Sequence, residues 1–343
     1  MIESKTSSLN LFIIFFLSYS FYVTQILTQE LFYSFSKQSV VIVCIMQLSF
    51  PVFVYFICKI INSKKQHASE KNASVFSLLS ALYLIITLLI SLVNMTNIVT
   101  LYYYQQTSYI ILLAVISIPV IYTLIRGDIH FFSLASILLI IYSIFKYAYL
   151  ANSSSIDFYV FHDILKINKS NLSLIIIYSL PILLEPLLLL NNKKIINDKI
   201  NVKLIVSLAA IISLIGILTT LRQTWEFGNL LNKIRFPYLE SIKNIVAGDF
   251  FENIDFYYIL SIATSIYIRL GYTFITIKNS FNLNKKITIS LILASLLLTY
   301  IIKQSMSLYL FSIDKILVIA STCLITSLIL LPIIMKRRKN THA

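Results

Sequence analysis

Glycine, cysteine and charge are all scarce in this chain. Five glycines are spread over 343 residues, which leaves few positions where backbone can approach another group without a Cβ in the way. The three cysteines, Cys44, Cys58 and Cys323, each fall inside an apolar run, so neither a disulfide framework nor a thiolate metal cluster is expected. The four histidines, His67, His130, His162 and His342, are too scattered to form a ligand pair. No metal or other cofactor is expected. Charged residues make up 12% of the chain, where a soluble domain carries about 25%. Despite a net charge of +14, no basic patch sits on a soluble domain, so nucleic acid is excluded as a partner. A cleavable signal is not expected either. The apolar run from Leu9 to Thr28 is too long for a signal h-region and lacks a small-residue cleavage site.

What the chain has in abundance is apolar sequence: 58% of its residues, with a mean hydropathy of +0.85. This composition predicts an all-α integral membrane protein resident in a lipid bilayer. Crossing a core of about 30 Å takes about 20 residues. Runs of that kind occur at 9–28, 39–61, 75–101, 107–125, 130–150, 172–190, 203–221, 254–277, 286–302 and 314–335, which predicts ten transmembrane helices in a single membrane domain. The third is long enough to tilt or project, and Tyr102, Tyr103 and Tyr104 after it suit a headgroup boundary. With the N-terminus inside, the larger share of basic residues falls on inner segments, notably Lys59, Lys64, Lys65 and Lys71, then Lys193, Lys194 and Lys199, then Lys336 to Lys339. The positive-inside rule therefore places both termini in the cytoplasm. The net charge is then mainly a topogenic signal and an attraction to anionic lipid.

Glu185 is the one acidic residue deep inside a long apolar run. It lies in LSLIIIYSLPILLEPLLLL, Leu172 to Leu190, with Pro181 before it and Pro186 directly after. An ionised group at membrane depth costs about 2.5–3.5 kcal/mol on insertion scales, so it faces a partner or a cavity. Each proline removes a backbone donor and leaves the carbonyls of Ile177 and Ile182 without helical partners. Such carbonyls are tolerated only where protein or a wet cavity satisfies them. The sixth run thus reads as a broken helix lining a small-molecule site. The other costly residue is Arg269. At 1.5 Å per residue, Glu185 lies roughly 20 Å and Arg269 roughly 22 Å from the outer ends of their spans. Matching depths allow the two to pair as a closed gate on the cytoplasmic side of the site. Alternatively, Arg269 snorkels toward the inner headgroups, near Lys278.

Two connections are long. Ala151–Asn171 is polar and irregular. The segment 222–253 is an outer loop, and within it FPYLESIKNIVAGDF starts with Pro237, suited to a first helical turn. Leu239, Ile242, Ile245 and Val246 recur at helical spacing and Gly248 follows as a stop, which predicts an amphipathic helix. It is either a lid or docking surface, with Pro237, Glu240 and Asp249 as its marked residues, or a helix resting at the interface.

The stretch Arg235–Tyr272, RFPYLESIKNIVAGDFFENIDFYYILSIATSIYIRLGY, resembles the B subunits of spore germinant receptors. That family has a YPTLE-like stretch, matched here by Phe236, Pro237, Tyr238, Leu239 and Glu240. It then has a GDF-like turn, matched by Gly248, Asp249 and Phe250, and an acidic step at Glu252 to Asp255 before the eighth span. Span count, loop placement and the LEP of the sixth span extend the resemblance along the chain. Asn253 stands where the family usually has arginine, and Phe15 to Leu27 of span one lacks the family's usual glycines. Polar side chains of span one are therefore expected to substitute for backbone contacts.

The resemblance implies a member of the amino acid permease superfamily with a leucine-transporter-like fold, two inverted five-helix repeats (5+5) with helices 1 and 6 broken. It implies a subunit in the inner membrane of the spore, acting with an A-type membrane subunit and a C-type lipoprotein subunit. The ligand would be a nutrient germinant such as an amino acid, bound mid-membrane among spans one, three, six and eight to trigger germination. The polar residues those spans offer are Ser18, Ser20, Thr24 and Gln25; Asn94, Thr96 and Asn97; Ser179 and Pro181 with the freed carbonyls; and Ser261, Thr264 and Ser265. Each hydroxyl can equally bond within its own helix or glue neighbouring helices. A functional secondary amino acid transporter, coupled to protons through Glu185 or to sodium, is the alternative, since one scaffold hosts both. No convergent acid–base or metal constellation in the outer loops points to an enzyme.

Overall fold

The computed structural model describes residues 8–62, 70–102, 108–126, 169–192, 200–234, 237, 240–241, 254–304, 319–326 and 329. Among these, every regular element is a helix. α1 is Ser8–Tyr22, α2 is Thr28–Phe35, α3 is Val40–Asn62, α4 is Glu70–Tyr102 and α5 is Tyr109–Arg126. α6 is Lys169–Leu184, α7 is Val202–Phe227, α8 is Ile254–Phe281 and α9 is Lys285–Gln304. Short non-α helices join some of them: a π turn at Val23–Leu27, and 3-10 helices at Ser36–Ser39, Glu185–Asn192 and Gly228–Leu230. The apolar runs at 39–61, 75–101, 107–125, 172–190, 203–221, 254–277 and 286–302 each coincide with a helix. Four stretches are long and apolar enough to cross a membrane: Thr28–Asn62, Val75–Val99, Asn171–Asn192 and Val202–Leu230.

An apolar core that includes Phe12, Phe15, Phe50 and Leu188 is accompanied by large apolar side chains on the outside, which a soluble protein would cover with polar groups. Leu48 of α3 is 69% exposed, Val115 of α5 64% and Leu297 of α9 61%, and each has exposed apolar neighbours along its helix. Unbroken apolar faces of this extent mark contact with lipid or another apolar surface. Ser18, Thr87, Asn94, Glu185 and Arg269 are meanwhile buried. The helices thus carry apolar residues on both their buried and their outer faces, and the chain is compatible with integral residence in a membrane.

The frame that positions the interior is a long antiparallel pair, α3 against α7. Its register is visible at three levels. Asn62 exchanges two hydrogen bonds with the backbone of Ile200, both 3.1 Å. Ser213 donates to the carbonyl of Gln47 at 2.7 Å. At the far end Val40 and Leu231 share a small buried cluster with Phe32. Gly216 sits midway, and a Cβ there would come 3.0 Å from the Gln47 side chain, so glycine is what lets the two helices close. α1 packs on α8, α4 on α8, and α6 on α3.

Three expectations are corrected. Span one does not end near Thr28; the helical path continues through the π turn and α2 to Phe35. The helix of the seventh run does not stop before Arg222. α7 runs on to Phe227, because Thr219, Thr220, Arg222, Gln223 and Thr224 present a buried face, and Gly228 (φ 48°) ends the helix with its N–H on the carbonyl of Thr224. Arg269 does not snorkel, as described below. The fifth run at 130–150, the Ala151–Asn171 connection up to residue 168, Asp249 and most of the amphipathic segment and of the tenth run lie outside the described residues. The pairing of two five-helix repeats depends on the fifth and tenth runs.

Candidate functional site

Both helices expected to be broken change their helical type, and neither unwinds. In span one the backbone is right-handed throughout, with Tyr22, Leu27 and Thr28 all in the α region. The hydrogen-bond ladder slips by one residue: the N–H of Thr28 reaches the carbonyl of Val23, and its Oγ1 donates to the same oxygen at 2.7 Å. A π turn of this kind widens the helix locally, and such turns concentrate at functional sites. It needs no glycine, which reconciles the break with the composition of Phe15 to Leu27. In span six the α-helix ends at Leu184 and a 3-10 helix begins at Glu185. Pro186 denies the carbonyl of Ile182 its α-helical partner, and the phenol of Tyr19 replaces it, donating at 2.8 Å across 163 residues of sequence. Tyr19 is held for this by stacking on Phe50, with ring centroids 4.0 Å apart. The freed Ile182 carbonyl thus already accepts one hydrogen bond from within the protein.

Arg269 is the hub of the interior. Its guanidinium meets the Glu185 carboxylate through Nη1 and Oε1, with both side chains fully buried. Nη1 also donates to Ser18 Oγ at 3.1 Å, and Nη2 donates to Thr87 Oγ1 at 2.6 Å. The ring of Tyr22 lies 4.7 Å from the guanidinium carbon, a cation–π contact in a dry setting. Tyr83 stands edge-on to Tyr22, 6.5 Å between centroids. One side chain of α8 therefore gathers α1, α4 and the α-to-3-10 junction after α6. Taking two charges out of water is costly and is offset only by close pairing and further hydrogen bonds. Ser18, Thr87 and Tyr22 supply part of that. Glu185 Oε2 and Arg269 Nε make no hydrogen bond among the described residues.

The 3-10 helix is secured at its other end as well. Asn192 donates to Thr276 Oγ1 at 3.0 Å, and Ser77 donates to Asn191 at 3.3 Å. Glu185 and Asn192 thus tie the two ends of the 3-10 helix to α8, and Asn191 ties it to α4.

The remaining expected residues divide clearly. Ser18 is at the hub. Thr24 is buried and bonds back to the carbonyl of Ser20 at 2.7 Å, and Ser179 bonds back to Ile176 at 3.0 Å. Thr96 bonds back to Leu92 and Val93. Pro181 is buried within α6. Asn94 is buried and donates to Glu30 at 3.3 Å, tying α4 to α2. Asn97, Thr264 and Ser265 are buried. The side chains of Gln25 and Ser261 lie outside the described residues, although their backbones belong to the π turn and to α8. Of the lid residues, Pro237 is buried and helical and Glu240 is half-buried; the next residue, Ser241, hydrogen-bonds Glu226 near the end of α7. Among the described residues no group of three His, Cys, Asp or Glu could hold a metal ion.

Thr87, Tyr22, Tyr83, Tyr19 and Glu30 were not singled out by the sequence. A signal for the first existed: Ser80, Tyr83, Thr87, Ser91 and Asn94 recur every three or four residues, a polar stripe in an otherwise apolar helix. All five are buried. Comparison with protein-family models finds no match, and comparison with curated proteins finds none.

Proposed function

We propose that this chain is the ligand-sensing membrane subunit of a spore germination receptor, built on a ten-span, leucine-transporter-like 5+5 scaffold in the inner membrane of the spore. It binds a small germinant such as an amino acid mid-membrane and acts with an A-type membrane subunit and a C-type lipoprotein, with both termini cytoplasmic. The family reading rests on the resemblance of Arg235–Tyr272. The observation that carries the sensing role is the Arg269 hub, where one buried cation ties together the spans expected to line the site: Ser18 of span one, Thr87 of span three and Glu185 of span six. An ion pair at the point where span six changes helical type is a latch. While it is closed, span six cannot move independently of span eight. A ligand that binds the open arrangement better shifts the equilibrium, and partner subunits read the shift.

The test is uptake of radiolabelled amino acids by the purified protein in liposomes, under imposed proton and sodium gradients. The sensor reading predicts binding without concentrative uptake. Robust concentrative uptake without partners would instead establish the alternative, a secondary amino acid transporter coupled to protons or sodium.

A further inference from the structure

The latch has an unused half on each side, and the two halves are chemically complementary. Among the described residues Glu185 Oε2 is an acceptor without a donor and Arg269 Nε a donor without an acceptor; both residues are fully buried. We infer that the Glu185–Arg269 pair is itself the primary ligand contact, and that it takes a zwitterion: the α-ammonium of a free amino acid on Glu185 and its α-carboxylate on the Arg269 guanidinium. This rests on the sensing reading and names the chemistry of its ligand.

Charge balance decides the ligand class. The pair is neutral as a unit and so is a zwitterion, so occupancy leaves no net charge in a medium that solvates charge poorly. An amine without its carboxylate, or an acid without its ammonium, would leave one buried charge uncompensated and is rejected. The guanidinium has five donors in a fixed fork; Ser18 and Thr87 hold its Nη1 and Nη2, which leaves Nε as the donor for a ligand carboxylate. Those two hydroxyls therefore act as anchors of Arg269 in both states. As the ligand's charged groups enter, the direct Glu185–Arg269 contact is replaced by two ligand contacts. Glu185 opens the 3-10 helix and is followed by Pro186, so a shift of its carboxylate moves the start of that segment. Binding and unlatching are in this way one event.

The test is binding of radiolabelled alanine, valine and asparagine to the purified full chain in nanodiscs, with ethylamine and propionate as competitors. At least one of the zwitterions is expected to bind saturably, with the amine and the acid at least 100-fold weaker. The double variant E185M/R269M keeps a neutral, filled interior and is expected to remain monodisperse while losing binding at least 100-fold. A second variant, E185Q, keeps the shape and the cation and removes the anion. It is expected to reverse the order, so that propionate competes better than ethylamine and the zwitterion loses its advantage. Equal competition by all three chemical classes, undiminished binding by the double variant, or no binding of any of the three amino acids to the wild type would each overturn the inference. Undiminished binding by the double variant leaves the sensor reading intact, with the ligand elsewhere. Concentrative uptake with the expected charge pattern removes the sensor reading and leaves the zwitterion site standing.

Discussion

Tyr19 shows how much one hydroxyl can carry at a helix irregularity. Its phenol is the replacement donor for the Ile182 carbonyl that Pro186 orphans, in a place where water does not reach. Tyr19→Phe keeps the stacking on Phe50 and removes only the hydroxyl, so it should destabilise the protein by about 1–3 kcal/mol, the cost of leaving a buried acceptor unsatisfied. Thermal unfolding in detergent would show this as a lowered midpoint with the packing otherwise intact. Thr87→Val removes a hydrogen bond from a charged donor at 2.6 Å and should cost about 1.5–3 kcal/mol by the same measure. Tyr19 was not legible as special in the sequence, and Thr87 only as one member of the polar stripe of α4. A tyrosine or a threonine in an apolar run looks like every other core residue until its long-range partner is known. Glu185 and Arg269 were legible because ionisable groups at that depth demand an explanation. Their matching depths were enough to bring the pair into consideration, and the structure decides it against snorkelling.

At the scale of elements, the apolar runs located most helices to within a few residues, since length and hydropathy are what a spanning segment needs. Helix type was less visible. Two prolines announced the irregularity in span six, but the π turn at Val23–Leu27 contains neither proline nor glycine and depends on packing. The end of α7 was misread for a related reason. Arg222 to Glu226 looks polar, yet its buried face continues the helix to Gly228. The α3–α7 pair offers a sharp test of element packing. Gly216→Ala places a methyl 3.0 Å from the side-chain amide of Gln47, both of whose polar atoms are buried. The substitution should cost about 1–3 kcal/mol by overpacking. Gln47→Ala in the same protein should return most of that loss, and a double-mutant cycle on thermal unfolding would measure the coupling.

For the molecule as a whole, the apolar outer faces make a claim about its solvent. Leu48, Val115 and Leu297 lie on three different helices and all face outward, whereas Leu188 is fully buried beside the latch. Single tryptophans at these positions, in a Trp225→Phe background, should be quenched by brominated lipid at the first three sites and spared at Leu188. Quenching at Leu188 equal to that at Leu48 would mean that the interior has been assigned to the wrong face. The receptor-level reading, by contrast, was legible only as a resemblance in one stretch of about forty residues.

The most direct test of the account is a double-mutant cycle on the latch, Glu185→Met, Arg269→Met and both together, read by thermal unfolding of purified protein. Each single variant strands one buried charge and should lose about 3–5 kcal/mol, while the double variant buries none and should recover most of that loss. Additive losses in the double variant, or single variants as stable as wild type, would contradict the pair and with it the latch.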